Sequence, residues 1–291
     1  MERRVGENGE RDERARMHRA NVARRGRTVL ARRRRVAEMS VLSRRTRTAL
    51  GVAGIVVLLG AWEAAYRFGV VSKITGSSPS QIALAARVLV RHHLLWGAIW
   101  SSTKLFLIGF SLCVVVGLVV GLVLGWYRRL HALLDPWVTM LYAAPRLALI
   151  PLVVVWVGIG FEAQVVIVFL VGVFPMIINT MAGVTAMDRT HFRVARSFLA
   201  TNRQVLVTVA LPGALPFIVS GIRQTLVLSL TGVVVAEYFL GETGVGGLIF
   251  KAGQVLETGQ AFVGVAIFCF AAVLLTVALG AVEKRLDKWR G

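Results

Sequence analysis

Cysteine, acidic residues and charge of any kind are scarce in this chain. Its 291 residues hold two cysteines, 15 Asp and Glu together, and only 17% charged residues. Cys113 and Cys269 both lie inside apolar runs without ligand-like spacing. That argues against a disulfide or a metal role and leaves them as small core residues. The adjacent His92 and His93 would point about 100° apart on a helix, which makes a metal site there a poor reading. No His/Asp/Glu cluster or Ser–His pair occurs within the apolar runs, so an enzyme is not expected. No glycine-rich phosphate loop ending in Gly-Lys-Ser or Gly-Lys-Thr exists. If the chain uses ATP, hydrolysis must take place on another chain, and no cofactor or metal is expected on this one.

What the sequence has instead is apolar length. It is 56% hydrophobic with a mean hydropathy of +0.69. Crossing a hydrocarbon core takes about 20 apolar residues in helical form. Six stretches approach or meet this: Thr48 to Ala65, Leu105 to Trp126, Leu133 to Val157, Ala163 to Ala182, Leu215 to Ala236 and Ala261 to Val282. The expected fold class is an all-α membrane protein of about six transmembrane helices. The formal charge of +19 does not point to nucleic acid, because residues 1–50 hold sixteen Arg against six acids and most other basic residues flank the spans. This is a positive-inside distribution, and the expected setting is the cell membrane with both termini cytoplasmic.

The expected organisation runs from an Arg-rich, disordered tail (1–47) to a first transmembrane helix (48–70) and an external loop (71–104). A core (105–283) follows, with a cytoplasmic loop at 184–212, and then a cytoplasmic tail (284–291). The tail before the membrane is either solvated or held on anionic headgroups. In the external loop, Ser80 followed by Ile82, Leu84, Ala85, Val88 and Leu89 reads as a capped amphipathic helix. The basic residues of this loop, Lys73, Arg87 and Arg91, run against the charge rule that the other loops obey.

Gly117, Gly121 and Gly125 repeat at four-residue spacing. They share one helix face and let another backbone approach closely, which predicts packing. The third run contains Pro136, Pro145 and Pro151, with Arg146 directly after a proline. Proline breaks a helix, and an Arg near mid-span rarely faces lipid. Arg146 either lines a pathway and attracts an anion, or pairs with a carboxylate such as Glu237, or caps freed carbonyls. Arg146, Asn179, Arg223 and Glu237 are the candidate pathway residues, although Arg223 also suits helix packing near the inner end and Asn179 suits a helix bridge.

The polar interval from Asp188 to Pro216 interrupts the apolar sequence on the cytoplasmic side. Asp188 is a good helix cap. At 100° per residue, Phe192, Ala195, Phe198 and Leu199 form one stripe, and Arg189, Arg193 and Arg196 group beside it. This predicts a short helix offering an apolar ridge with a basic flank, followed by Pro212, which ends the approach, and Pro216 in the first turn of the next span. A connector alone needs no such helix. Coupling to a soluble partner does.

This interval resembles the cytoplasmic loop of permease subunits of type I ABC importers, whose pattern ends in Leu-Pro. Counting back from Leu211 and Pro212, the pattern's Gly falls on Leu199 and its Glu-Ala-Ala falls on Arg193, Val194 and Ala195. "LDPWVTMLYAAPRLALIPLVVVWVGIG", "FPMIINTMAGV", "LPGALPFIVSGIRQTL", "VVAEYFLGETGVGGLI" and "EKRLDKW" are similar to the branch importing nitrate, taurine and aliphatic sulfonates, in the expected order across residues 76–290. The resemblance implies the type I permease fold and a central pathway formed with a second, identical or related permease chain. It implies a pair of ATPase subunits that use ATP and Mg and receive the loop at Arg189, Phe192, Arg193, Ala195, Arg196, Phe198, Leu199, Leu211 and Pro212. It also implies an external solute-binding protein, which the glycine-rich "GETGVGGLIFKAGQ" would meet unless it forms an outer gate. Arg193 in place of Glu and Leu199 in place of Gly depart from the pattern. They imply an acidic, roomier partner cleft, one half of an asymmetric pair, or weakened coupling. The alternative is a degenerate or ATP-independent transporter or scaffold. The few ionisable residues in the spans form no proton relay and no internal repeat is visible, which argues against a secondary transporter.

Overall fold

Glycines at four-residue spacing determine how closely the central helices approach. A computed structural model describes residues 44–70, 72, 76–241 and 243–287. The Arg-rich stretch up to residue 43 and the last residues, 288–291, lie outside the described residues. The chain divides into two units, one up to Ala64 and one from Ala65 onward. The first contributes most of α1, Arg44–Arg67, whose apolar residues such as Ile55, Val57 and Leu58 are exposed.

The second unit holds the remaining helices. α2, Pro79–Arg91, is capped by Ser78, whose hydroxyl accepts from the Gln81 amide at 3.3 Å. The cap falls on Ser78 and not on the expected Ser80, because Pro79 has its φ preset for a first helical turn and no N–H that needs a partner. α3, Leu94–Trp126, begins earlier than the expected Leu105, so the expected external loop contains α2 and the first turns of α3. α4 covers Arg128–Ala143 and α5 covers Ile150–Val157, with a 3-10 turn between them at Arg146–Leu149. The expected run from Leu133 to Val157 is thus broken, as its prolines predicted, and the two helices meet at 88°. Ala144 precedes Pro145, which forces it out of the helical region, and its ψ is 145°.

α6, Phe161–Thr185, is the most buried span and packs between α3 and α9, Leu211–Leu240. On the α3 side, a Cβ at Gly117 would stand 2.6 Å from Met176 Cβ, and one at Gly121 would stand 2.6 Å from Thr180 Cβ. One at Gly125 would stand 2.7 Å from Val184 Cβ. On the α9 side, Gly172 meets Ser229 and Gly221 meets Asn179. Leu105, Val168, Leu226, Val233 and Val245 close the core around this sandwich. α10, Val245–Gln254, and α11, Thr258–Asp287, complete the unit. Among the described residues five helices are long and apolar enough to cross a membrane, or six if the bent pair counts as one span.

The interval expected on the cytoplasmic side contains α7, Arg189–Ser197, the single turn α8, Asn202–Val205, and a π turn at Leu206–Ala210 that runs into α9. Pro212 thus does not end the approach, and Pro216 lies inside α9, not at the start of a separate helix. Pro212 cannot donate to the Thr208 carbonyl and its ring crowds that carbonyl. The wider π turn immediately before it accommodates the misfit and lets the helix continue.

Candidate functional site

The loop 188–212 is built on a short helix with firm ends. The Thr190 amide donates to Asp188 Oδ1 at 2.8 Å, capping α7. At the other end the Ala200 amide donates to the Ala195 carbonyl at 3.2 Å, with Leu199 in the left-handed region at φ 57°. This is the Schellman arrangement, and Leu199 occupies the position where glycine is usual. The expected single stripe is divided. Phe192 packs its ring 6.0 Å from Trp126, and Ala195 is half-buried. Phe198 and Leu199 lie past the helix end, 81% and 90% exposed, with Val194 and Arg193 also exposed. The division follows from the αL residue, which turns the chain and ends the 100° periodicity. Arg189 and Arg196 belong to α7, but their side chains lie outside the described residues. A capping box between Thr201 and Gln204 starts α8, and Leu211 and Pro212 stand in the first turn of α9.

Arg146 stands at the break between α4 and α5. Its Nη1 donates to the Val171 carbonyl of α6 at 2.9 Å, and its guanidinium lies over the Tyr142 ring, 5.1 Å from the centroid. It forms no ion pair with any described carboxylate. Of the readings left open by the sequence, pairing with Glu237 is not what the structure has. Glu237 is fully buried, and its Oε2 accepts from Ser102 Oγ at 2.7 Å and from the Gly246 amide at 2.8 Å. Ser102 Oγ in turn accepts from the Val245 amide at 2.9 Å, so this carboxylate ties α3, α9 and the start of α10 together. Arg223 is ion-paired with Glu283 of α11. Asn179 Nδ2 donates to the Pro175 carbonyl at 2.8 Å and to Gln224 Oε1 at 3.4 Å. No hydrogen bond or ion pair joins any two of the four candidates.

Ser102 and Gln224 were not among the sequence candidates. Gln224 stands four residues after Ser220 inside an apolar run, and that spacing was the available signal. Ser102 left none, because its partner is 135 residues away. Among the described residues no group of three His, Cys, Asp or Glu is placed to hold a metal, and both cysteines are free.

The family described as binding-protein-dependent transport system inner membrane component matches residues 114–290. A Bacillus subtilis permease protein named for aliphatic sulfonate transport, SsuC, is 34% identical over 234 residues, 80% of this chain and 85% of that one. The Escherichia coli taurine transport system permease protein TauC is 30% identical over 255 residues, covering 86% and 92%. The bicarbonate transport system permease protein CmpB of Synechococcus elongatus is 32% identical over 197 residues, covering 67% and 66%. The fold is that of a chain of the MetNI methionine ABC transporter in an inward-facing form, with TM-score 0.57, 20% identity, 66% of this chain and 95% of that one covered. The degenerate or ATP-independent alternative finds no support in these relatives. With its long apolar helices, its broken span and its sequence kinship, the chain belongs to the binding-protein-dependent transport system inner membrane component family and is a multi-pass permease of an ABC importer.

Proposed function

We propose that the chain forms the membrane pathway for a small oxyanion of the sulfonate or carboxylate type. An external binding protein delivers the solute, and a separate ATPase pair powers import through the loop 188–212. A second permease chain completes the pathway, and both termini lie in the cytoplasm. The observation that carries the anion reading is Arg146, a cation at a break in a membrane helix whose contacts are a carbonyl and an aromatic face. A charge in the bilayer is expensive unless it has a partner or a function. Here neither contact neutralises it, and several of its five N–H donors remain for a ligand. The exposed Phe198 and Leu199 at the tip of the inner loop support the docking reading, since neither stabilises its own chain.

Uptake of labelled taurine, an alkanesulfonate and bicarbonate into cells carrying the complete transporter tests this. A hydrogen bond to a charged group contributes about 1.5–3 kcal/mol, so Arg146→Gln is expected to lower uptake of the transported anion roughly tenfold to a hundredfold. Arg146→Lys should retain more uptake than Arg146→Gln. Equal uptake by all three at matched membrane levels would sink the anion reading.

A further inference from the structure

One exposed face of α9 is polar. Ser220, Gln224, Val227 and Thr231 follow one another at steps of four, three and four residues, which places them on one side of a helix, and all are exposed. Ile218, Gly221, Thr225 and Ser229 occupy the opposite side and are buried. The Ser220 hydroxyl donates to the Pro216 carbonyl at 3.0 Å and the Thr231 hydroxyl to the Val227 carbonyl at 3.1 Å. Both hydroxyl oxygens are left outward as acceptors. Gln224 accepts from Asn179 of α6 at 3.4 Å, and its own amide nitrogen donates to no described residue.

Elsewhere the exposed faces of the spanning helices are mostly apolar, as at Val115 and Val119 on α3 and Val273, Leu274 and Val277 on α11. An exposed hydroxyl such as Thr276 donates back to its own helix at the Ala272 carbonyl, and the carboxamide of Gln224 is what sets α9 apart. Lipid can cover those faces. It cannot satisfy a carboxamide, and a polar group left without a partner in hydrocarbon is strongly disfavoured. The α9 face therefore requires water or another polar surface at Gln224, with the outward oxygens of Ser220 and Thr231 on either side of it.

We propose that Ser220, Gln224 and Thr231, with Asn179 beside them, form one wall of an aqueous solute route. The Gln224 amide offers its N–H groups to the oxygens of a small oxyanion, and the hydroxyl oxygens of Ser220 and Thr231 accept from the water that hydrates it. The inference rests on the permease reading and adds the surface along which the solute passes. One neutral donor among acceptors suits a route better than a fixed charge does, because a site that holds an anion too tightly does not release it. Arg146 would attract the anion, and the α9 wall would pass it on.

Thiol accessibility tests the placement. Gln224→Cys and Thr231→Cys are made singly in the full chain carrying Cys113→Ala and Cys269→Ala. Val115→Cys and Val273→Cys serve as lipid-facing controls. Cells expressing the whole transporter are treated with a charged methanethiosulfonate. Thiolate is the reactive form and needs water, so positions 224 and 231 should react at least about tenfold faster than the controls. Excess taurine, used as the probe anion, should slow them. Reaction at 224 and 231 no faster than at the controls overturns the proposal. A disulfide joining two copies at position 224, with no reagent reaction, overturns it as well and assigns the face to contact between copies. Should the cysteine-free chain fail to insert, Gln224→Leu and Gln224→Asn in the otherwise unaltered chain decide. Uptake lost with Leu and kept with Asn supports the wall, and equal uptake by both overturns it. The labelling result does not depend on Arg146, so a failure of the anion reading and a failure of the wall are separable.

Discussion

Leu199 carries a cost that its own chain does not recover. An L-residue in the left-handed region is disfavoured by roughly 1–2 kcal/mol, and glycine there avoids the penalty while losing about 0.4–1 kcal/mol through its greater unfolded-state freedom. The first effect is the larger. Leu199→Gly is therefore expected to stabilise the end of α7 by about 0.5–1 kcal/mol, read as slower exchange of the Ala200 amide that closes the turn. Leu199→Val, β-branched and worse at positive φ, should speed that exchange. If Leu199→Gly exchanges as fast as the parent, the turn is not strained. With 90% of its surface exposed, Leu199 also gains nothing from burial within this chain. A strained and exposed apolar residue is most simply explained by a contact made outside the chain.

At the scale of elements, the same substitution should have opposite effects at two points on α3. Gly97 has open space where a Cβ would stand, whereas a Cβ at Gly121 would meet Thr180 Cβ at 2.6 Å and the Ile177 carbonyl at 2.7 Å. Gly97→Ala should be neutral or stabilising by up to about 1 kcal/mol through helix propensity. Gly121→Ala must push α3 from α6 and should cost about 1–3 kcal/mol. Thermal unfolding of the purified chain in detergent measures both, and a Gly121→Ala melt equal to the parent would show that the two helices are not held at this distance. The glycine spacing was visible in the sequence because it repeats along one helix, but the identity of the facing helix was not. Local chemistry was legible in the same way at Asp188, which caps α7. Ser78 was missed as a cap because Pro79 moves the helix start to itself. The Ser102–Glu237–Gly246 tie joins distant segments, and nothing local to any of the three residues announces the others. The run from Leu133 to Val157 reads as one span by hydropathy, while Pro145 divides it through backbone sterics that hydropathy does not register.

At the scale of the whole molecule, the two phenylalanines of the loop 188–212 are placed differently, and this separates folding from the proposed coupling. Phe192 faces Trp126 of its own chain, whereas Phe198 is exposed. Burying a Phe is favourable by about 1.5–3 kcal/mol, and an exposed aromatic of this kind is a typical hot spot when a partner covers it. Phe198→Asp is expected to lower the amount of ATPase subunit that copurifies at least roughly tenfold, leaving the yield and melting of the permease unchanged. Phe192→Asp should instead destabilise the permease, because the carboxylate lands against Trp126, and any loss of ATPase should follow the loss of folded chain. Arg193→Glu supplies the third arm. If the receiving groove is acidic, reversing this exposed charge weakens docking more than Arg193→Gln does, and more so at low salt than at high salt. Equal recovery of ATPase with Phe198→Asp and with the parent chain would move the coupling surface away from this loop. Loss with Phe198→Asp but no response at Arg193 would keep the surface and reject an acidic groove.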